Sequence, residues 1–200
     1  MAEKIIIEVY RNKNTDELTK LIADPDSKLD TGSGAAVNCA VAASFLQRAA
    51  ALTAKSGVTG EKIDYVVKNA EILRNYMVFL IDEDIKSKNP MRQAVKSGDP
   101  NKIDACRHPA IEISEEIINM VGNGLELAKS LAEICSDDAK YYIAQYIYTA
   151  MAAAKTCASY IVGMTAGSPD ETFKFVSKRE NEMTVEQFET MAGEIMEKIK

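Results

Sequence analysis

The chain has 200 residues, of which 46% are hydrophobic, and this is enough for one domain with a continuous core. A net charge of −6 and a pI near 5.0 argue against nucleic-acid binding, because phosphate recognition needs a basic surface. Four cysteines lie far apart without a C-x-x-C pair, which disfavours a local zinc site and is typical of reduced thiols in a cytosol. We therefore expect a single soluble domain over residues 1–200, located in the cytoplasm.

The N-terminal run Ile5-Ile6-Ile7 ends at Glu8, which is too early for a signal peptide. Together with the residues up to Tyr10, it is also the one segment that fits an isolated extended strand. The two most apolar windows, 35–54 and 139–165, are interrupted by charged or polar side chains and do not predict a membrane span. We expect no membrane partner.

The first two helices follow from capping and composition. Thr15 is expected to cap a short helix that ends at Ala23. The turn Thr31-Gly32-Ser33-Gly34 then leads into a long alanine-rich helix, in which Arg48 is the only charged side chain over 35–54. Small side chains favour a buried, tightly packed helix, and the free N–H groups at its start can face a ligand. Taken alone, the turn fits capping and packing better than binding.

A third helix is predicted from Glu61 to about Lys88, where Asn89-Pro90 should stop or kink it, because the residue before a proline is pushed out of the helical region. Residues 91–107 look like irregular helix with a break at 97–100. Pro109 then opens a fourth long helix. Two glycines inside it, at positions 122 and 124, weaken the helix but let another helix come close.

The fifth helix, predicted from Asp137 to Thr165, has the most regular apolar stripe of the chain and a length of about 43 Å at 1.5 Å per residue. Residues 184–187 read Thr-Val-Glu-Gln, a capping box that predicts a final helix over 185–199. Together the elements predict an all-α fold, a multihelical up-and-down bundle of long antiparallel helices.

The single histidine, His108, excludes histidine-based metal clusters, including the paired Glu-x-x-His motifs of di-iron proteins and the H-E-x-x-H motif. Sequence motifs for a serine nucleophile elbow, a dinucleotide site or a P-loop are also missing. The remaining carboxylates, the histidine and scattered basic side chains suit proton transfer on a small molecule. We expect catalysis without a metal.

The order of the motifs along the chain is also informative. The glycine-rich turn precedes the alanine-rich helix, and four short motifs follow: Asp82-Glu83-Asp84, His108-Pro109, Ser136-Asp137 and the D-E-T-F segment at 170–173. This series resembles the formiminotransferase-cyclodeaminase C-terminal domain family over nearly the whole chain. Stand-alone members of that family include methenyltetrahydrofolate cyclohydrolase and formiminotetrahydrofolate cyclodeaminase.

The resemblance implies an all-helical homodimer that acts on a one-carbon unit carried by tetrahydrofolate, with the folate as substrate and no bound prosthetic group. In the cyclodeaminase reaction, N10 attacks the formimino carbon on N5 and ammonia leaves. In the cyclohydrolase reaction, water opens the methenyl bridge to give 10-formyltetrahydrofolate. Both reactions pass through a tetrahedral carbon between two nitrogens, so both are served by carboxylates with different pKa values.

Several positions depart from the family pattern. The family's turn is Pro-Gly-Gly-Gly-Ser, whereas residues 31–35 of this chain read Thr-Gly-Ser-Gly-Ala. The family's Asp-x-x-Ala-Phe motif matches at Asp84, but Ser87 and Lys88 replace Ala-Phe. Ser136-Asp137 matches, while Gly163-Met164-Thr165 stands where the family tends to have Ile-Asn-Leu.

Carried over residue by residue, the resemblance assigns acid/base roles to Asp84, Asp137 and His108. It assigns substrate contacts to a second set, Gly32, Ser33, Gly34, Arg107, Ser136 and Met164. Each assignment has a structural alternative: the run 82–84 fits a solvated helix end, Ser136-Asp137 fits capping, and His108 fits a loop residue. Arg48 and Lys155 are expected to reach solvent from helices of small residues.

Two main functions stay open at this point. The first is the folate enzyme. The second is a catalytically inactive family member that acts as a folate-binding or dimeric helical scaffold protein, which the substitutions at Ser33, Lys88 and Met164 favour. An unrelated helical adaptor is a distant third.

Overall fold

The computed structural model describes residues 9–200, which are helical almost throughout and contain no strand. In this range a 3-10 helix, Tyr10–Asn12, precedes seven α-helices: α1 (Thr15–Ala23), α2 (Thr31–Lys55), α3 (Glu61–Ser97), α4 (Pro100–Ala105), α5 (Arg107–Ala132), α6 (Asp137–Thr165) and α7 (Glu171–Lys198). The all-α prediction is confirmed. Of the extended run predicted over 5–10, residues 5–8 lie outside the described range, and Tyr10 begins the 3-10 helix instead.

Helix α2 is the centre of the bundle, because its small side chains let α3, α5 and α6 approach it. Its buried alanines are Ala35, Ala36, Ala40, Ala42, Ala43, Ala49 and Ala50. By length and apolar composition alone, α2 is the one helix of the described chain that qualifies as a membrane span. Because α2 packs against three other helices, its apolar composition is also that of a helix in a protein core.

Neighbouring long helices run antiparallel, as their contacts show. Between α2 and α3, the Arg74 guanidinium donates to Gln47 Oε1 at 2.8 Å, while the contacts to Asp84, later in α3, come from the beginning of α2. Between α5 and α6, the Tyr146 hydroxyl donates to the Val121 carbonyl at 3.0 Å. A Cβ atom on Gly124 would lie 1.9 Å from that hydroxyl oxygen, which confirms that this glycine permits a close helix approach.

The residues that cap α1 and α2 are not the predicted ones. Asn14, not Thr15, caps α1: its Oδ1 accepts from the Glu17 amide at 2.9 Å. Asp30 caps α2, and its Oδ1 accepts from the Gly32 amide at 3.2 Å. The segment 31–34 is therefore the first turn of α2 and not a turn that precedes it.

Helix α3 continues through Pro90 to Ser97, so of the two outcomes predicted for Asn89-Pro90, the stop near Lys88 is wrong. Proline interrupts the backbone hydrogen bonds of the preceding turn. In that turn the Arg92 guanidinium donates to the Ile85 carbonyl at 3.0 Å, whereas the carbonyl that loses its helical donor at Pro90 is that of Lys86. The helix ends at Gly98, whose φ of +67° is the left-handed conformation usual after a helix terminus. The short helix α4 follows where irregular helix was predicted.

The last three helices are long and continuous. The predicted bounds of α6 are confirmed. Helix α5 begins at Arg107, two residues before Pro109. Helix α7 begins after Asp170, whose side chain accepts from the Phe173 amide at 3.0 Å. The predicted start at 185 is wrong, because 171–183 contains neither glycine nor proline and the capping-box sequence at 184–187 lies within one uninterrupted helix.

Candidate functional site

Asp84 lies in α3 beside the first turn of α2, and its side chain has no solvent exposure. The Ser33 hydroxyl donates to its Oδ2 atom at 2.7 Å. Its Oδ1 atom lies 2.8 Å from Lys88 Nζ, one helical turn further along α3. A buried carboxylate is costly unless it is paired and hydrogen-bonded, and both conditions are met here.

The Lys88 ammonium is the centre of this group, and its side chain is only 3% exposed. Besides Asp84, it lies 2.6 Å from Asp30 Oδ1 and 4.1 Å from the centroid of the Tyr160 ring. An ammonium group has three donors, and these two carboxylates and the aromatic face provide three partners for it. Lys88 therefore joins the loop before α2 to α3 and α6.

Asp30 pairs with Arg92 as well as with Lys88. Its Oδ2 atom lies 3.0 Å from Arg92 Nη2, which also donates to the Lys28 carbonyl at 2.8 Å. We call the set Asp30, Ser33, Asp84, Lys88, Arg92 and Tyr160 the Asp84 cluster. Its two carboxylates are balanced by two cations, so the cluster as a whole is neutral.

Burial and charge have opposite effects on the two buried ionisable groups. Burial raises the pKa of Asp84, and the nearby Lys88 ammonium partly offsets the increase. Burial also acts to lower the pKa of Lys88, but the carboxylates of Asp84 and Asp30 outweigh it and leave this pKa above its ordinary value. Lys88 therefore stays protonated near neutral pH, and its charge is the main influence that favours the ionised form of Asp84.

Gly32 makes room for the ion pair. A Cβ atom at this position would lie 2.1 Å from Asp84 Oδ1 and 2.7 Å from Lys88 Nζ, distances that no real side chain tolerates. Gly34, two residues on, has open space at the same place. The first glycine of the turn is therefore required by packing against the carboxylate, whereas the second is not.

Two adjacent cavities reach the edge of the Asp84 cluster. One of about 570 Å³ lies between the α1–α2 loop and the start of α2, with Asp30 in its wall. The other, of about 450 Å³, lies against α6 and is bordered by Tyr160. Thr31 and Thr156 border both cavities. A small molecule in these cavities would therefore contact Asp30 and Tyr160, and Asp84 lies behind these two residues.

Comparisons with known proteins identify the family of this chain. The sequence pattern of the formiminotransferase-cyclodeaminase family matches residues 14–183. The chain belongs to this family. A solved structure of formiminotetrahydrofolate cyclodeaminase from Thermotoga maritima matches with a TM-score of 0.80, covering 93% of this chain and 96% of that one. The two sequences are 16% identical, so the likeness demonstrates a shared fold. A search of curated proteins found no match.

Within one chain, the second acidic residue expected from the family resemblance does not lie near Asp84. Asp137 begins α6, is 93% exposed and pairs with Lys140 at 2.8 Å. Twenty-three residues of helix separate it from Tyr160, which corresponds to about 35 Å. Ser136 has the backbone geometry of a cap, but its side chain makes no capping hydrogen bond. Capping by the hydroxyl, the alternative interpretation, therefore does not explain Ser136.

Arg107 and His108 each contact the junction between α6 and α7, where Met164 lies one helical turn beyond Tyr160 on α6. The Arg107 guanidinium donates to the Met164 carbonyl and packs against Gly167, where a Cβ atom would lie 2.5 Å away. His108 is exposed and stacks on Phe173 with 5.8 Å between ring centroids. These contacts hold the α6–α7 junction at the same end of α6 as the Asp84 cluster.

The acidic run 82–84 is not a solvated helix end. Asp82 is 6% exposed and accepts from the Tyr10 amide at 2.7 Å. Arg48 and Lys155 reach the surface as expected: Arg48 lies over the Tyr142 ring, and Lys155 pairs with Glu189. No group of three or more metal-ligating side chains occurs within residues 9–200.

Sequence reasoning missed four members of the Asp84 cluster: Asp30, Lys88, Arg92 and Tyr160. The spacing of Asp84 and Lys88 was a usable signal, because an acid and a base four residues apart share one face of a helix. Lys88 was noted only as a departure from the family pattern. Nothing local in the sequence connects Asp30 or Tyr160 to this face.

Proposed function

We propose that this chain is an enzyme of tetrahydrofolate one-carbon metabolism, with cyclohydrolase or cyclodeaminase activity, that works by acid/base catalysis without a metal. The observation that carries the proposal is the buried Asp84 carboxylate, which Ser33 and Lys88 hold against the first turn of α2, behind Asp30 and Tyr160 in the walls of two cavities. Family membership supports the same class of substrate. The folate is then a substrate, and no prosthetic group is required.

In this mechanism Asp84 is the base. It takes a proton from the attacking water in the cyclohydrolase reaction, or from N10 in the cyclodeaminase reaction, and returns it to the leaving nitrogen. Collapse of the tetrahedral carbon then expels ammonia in the cyclodeaminase reaction, or breaks the bond to N5 and releases the remaining hydroxyl proton in the cyclohydrolase reaction, without a covalent enzyme intermediate. A substrate in the larger cavity approaches Asp84 through the position that Asp30 occupies, so we infer that Asp30 moves when the substrate binds.

A scaffold or folate-binding role without catalysis is the second candidate. One observation favours it: Asp84 and Lys88 are both buried and satisfy each other, as in a purely structural ion pair. In either role we propose a cytoplasmic homodimer, in line with the family resemblance, with no nucleic-acid or membrane partner.

The test uses the absorbance of the methenyl bridge. Purified protein is mixed with 5,10-methenyltetrahydrofolate and, separately, with 5-formiminotetrahydrofolate. Loss of the band identifies a cyclohydrolase, and its appearance from the formimino substrate identifies a cyclodeaminase. Rates equal to buffer with both substrates would refute the enzyme proposal and leave the scaffold.

Two variants locate the chemistry. Asp84→Asn should lower turnover about 100-fold or more, the usual scale for a general base, while circular dichroism shows an intact fold. Glu83→Gln, an adjacent change at a residue paired with Lys86, is the matched control and should keep wild-type turnover. Asp137→Asn tests the second predicted carboxylate: a loss as large as that of Asp84→Asn would require a site shared between protomers, because about 35 Å of α6 separates Asp137 from Tyr160.

A further inference from the structure

Lys88 is a buried lysine. Its ammonium is inside the bundle, 2.8 Å from the carboxylate that we propose as the base, and its side chain is 3% exposed. An unpaired cation in such a place would be strongly unfavourable, and here the ammonium is paired with Asp30 and Asp84. The family resemblance places an aromatic residue here, which makes the cation a feature of this chain.

The titratable groups around Asp84 come from three elements. From α3 it faces Lys88, from the segment before α2 it faces Asp30, and from α6 it faces Cys157 and Tyr160. Burial raises the pKa of the Cys157 thiol to about 12 and also raises that of Tyr160, so both are neutral near pH 7. Lys88 is therefore the one positive charge in contact with Asp84 among the described residues.

Asp30 has the opposite effect to Lys88 on the ionisation of Asp84. It is a second carboxylate near Asp84, and its negative charge disfavours ionisation of that group. It also pairs with the same ammonium, at 2.6 Å against 2.8 Å for Asp84. The charge state of Asp84 is thus the result of one attractive and one repulsive neighbour.

We propose that Lys88 is a positioning residue for the reaction, which holds Asp84 as an aimed and ionised base, and that Asp30 opposes it. The Lys88 ammonium attracts Oδ1 through an ion pair at 2.8 Å, while the Ser33 hydroxyl donates a hydrogen bond to Oδ2, so both contacts restrain the carboxylate. The proposal rests on the proposed function for the identity of the base, but its effect on the Asp84 carboxyl exists without substrate.

The test compares the pH profile of turnover in four proteins. A base must be ionised, so turnover falls on the acidic side as Asp84 takes up a proton. An opposite charge at this distance lowers a carboxyl pKa by about 1–3 units, so Lys88→Met should move the acidic limb upward by about that amount. Lys88→Arg keeps the charge and should restore most of the wild-type profile. Lys86→Met, on the exposed face of the same helix, is the matched control and should leave the limb in place.

Asp30→Asn gives an independent reading if Lys88→Met fails to fold. Asparagine still accepts a helix-capping hydrogen bond, but the repulsive charge is gone, so the acidic limb should move downward by less than about one unit. A purely structural role for Lys88 would not produce shifts of opposite sign. Shifts in the same direction, or none, would overturn the proposal.

A measurement without substrate separates this proposal from the proposed function. The side-chain carboxyl of Asp84 is titrated by carbon-13 NMR in the full chain, in the wild type and in the same variants. An upward shift in Lys88→Met together with a downward shift in Asp30→Asn supports the electrostatic role even if no folate is turned over. An unchanged titration refutes it, whatever the methenyl assay shows.

Discussion

Gly32 and Asp84 are in direct contact across the α2–α3 interface, where a Cβ atom on the glycine would lie 2.1 Å from the carboxylate Oδ1 atom. The contact places the backbone of the first turn of α2 against the proposed base. It explains why position 32 holds a glycine, although alanine has the better helix propensity.

Replacing Gly32 by alanine should therefore destabilise the protein and damage the site. Overpacking of a tight interior costs about 1–3 kcal/mol, and relief requires the Asp84 carboxylate to move away from Ser33 or Lys88. Gly34→Ala is the matched control, because nothing lies within 4 Å of its Cβ position. Urea unfolding of both variants checks the prediction, which fails if the two lose equal stability.

Asp30 has two separable roles, as the cap of α2 and as a charged partner of Lys88 and Arg92. Asp30→Asn keeps a capping oxygen, whereas Asp30→Ala removes both. We expect the alanine variant to be less stable than the asparagine variant by about 1 kcal/mol, the usual contribution of a helix cap. Thermal and urea unfolding of the two proteins measure the difference. Equal stabilities would show that the hydrogen bond to the Gly32 amide contributes nothing.

The fold was predictable where local signals and the tertiary structure agree. Helix α6 shows this, because its apolar stripe faces the core and residues that interrupt helices flank both of its ends. The predicted stop at Pro90 was wrong, because proline is a local stop signal, whereas the burial of Met91 and Ala94 beyond it depends on the tertiary structure. Prediction also failed at 184–187, where a capping sequence occurs without a helix end.

The candidate site was predictable only in part. The motif order singled out Asp84 and the first turn of α2, and the structure places them in contact. Sequence alone did not separate Asp84 from Asp137, since each matched a family motif. Their distance depends on which end of α6 meets α3. Helical geometry also divides the acidic run: Asp82 and Asp84 turn inward, whereas the side chain of Glu83 is 26% exposed and pairs with Lys86.

Gly124 should be the most sensitive glycine of the core. A methyl group there would lie 1.9 Å from the Tyr146 hydroxyl oxygen and 2.9 Å from Leu73, which leaves no direction for relief. Gly124→Ala should lower the unfolding free energy by about 2 kcal/mol or more, through overpacking and disturbance of the hydrogen bond from Tyr146 to Val121. Gly163→Ala, with open space around it, is the control and should stabilise by up to about 1 kcal/mol. The prediction is contradicted if both changes act in the same direction.

The buried thiols should make the protein lose stability in alkali. Burial raises the pKa of Cys157 from its ordinary value of 9.0 to about 12. Between these values the unfolded chain loses the thiol proton while the folded chain keeps it, so the free energy of unfolding falls as pH rises, by up to about 1.4 kcal/mol per pH unit for one group. Burial raises the pKa of Cys39 in the same direction, so a second thiol adds to the slope.

Urea unfolding between pH 8 and 10.5, with a reductant present to prevent thiol oxidation, measures this slope. Cys157→Ala removes one of the titrating groups and should make the slope shallower, although the variant is less stable at every pH because it leaves a small void. Cys106→Ala, at a half-buried position, is the control for loss of a thiol. A slope that Cys157→Ala leaves unchanged would mean that this thiol titrates alike in the folded and unfolded chains, and that α6 admits solvent beside Asp84.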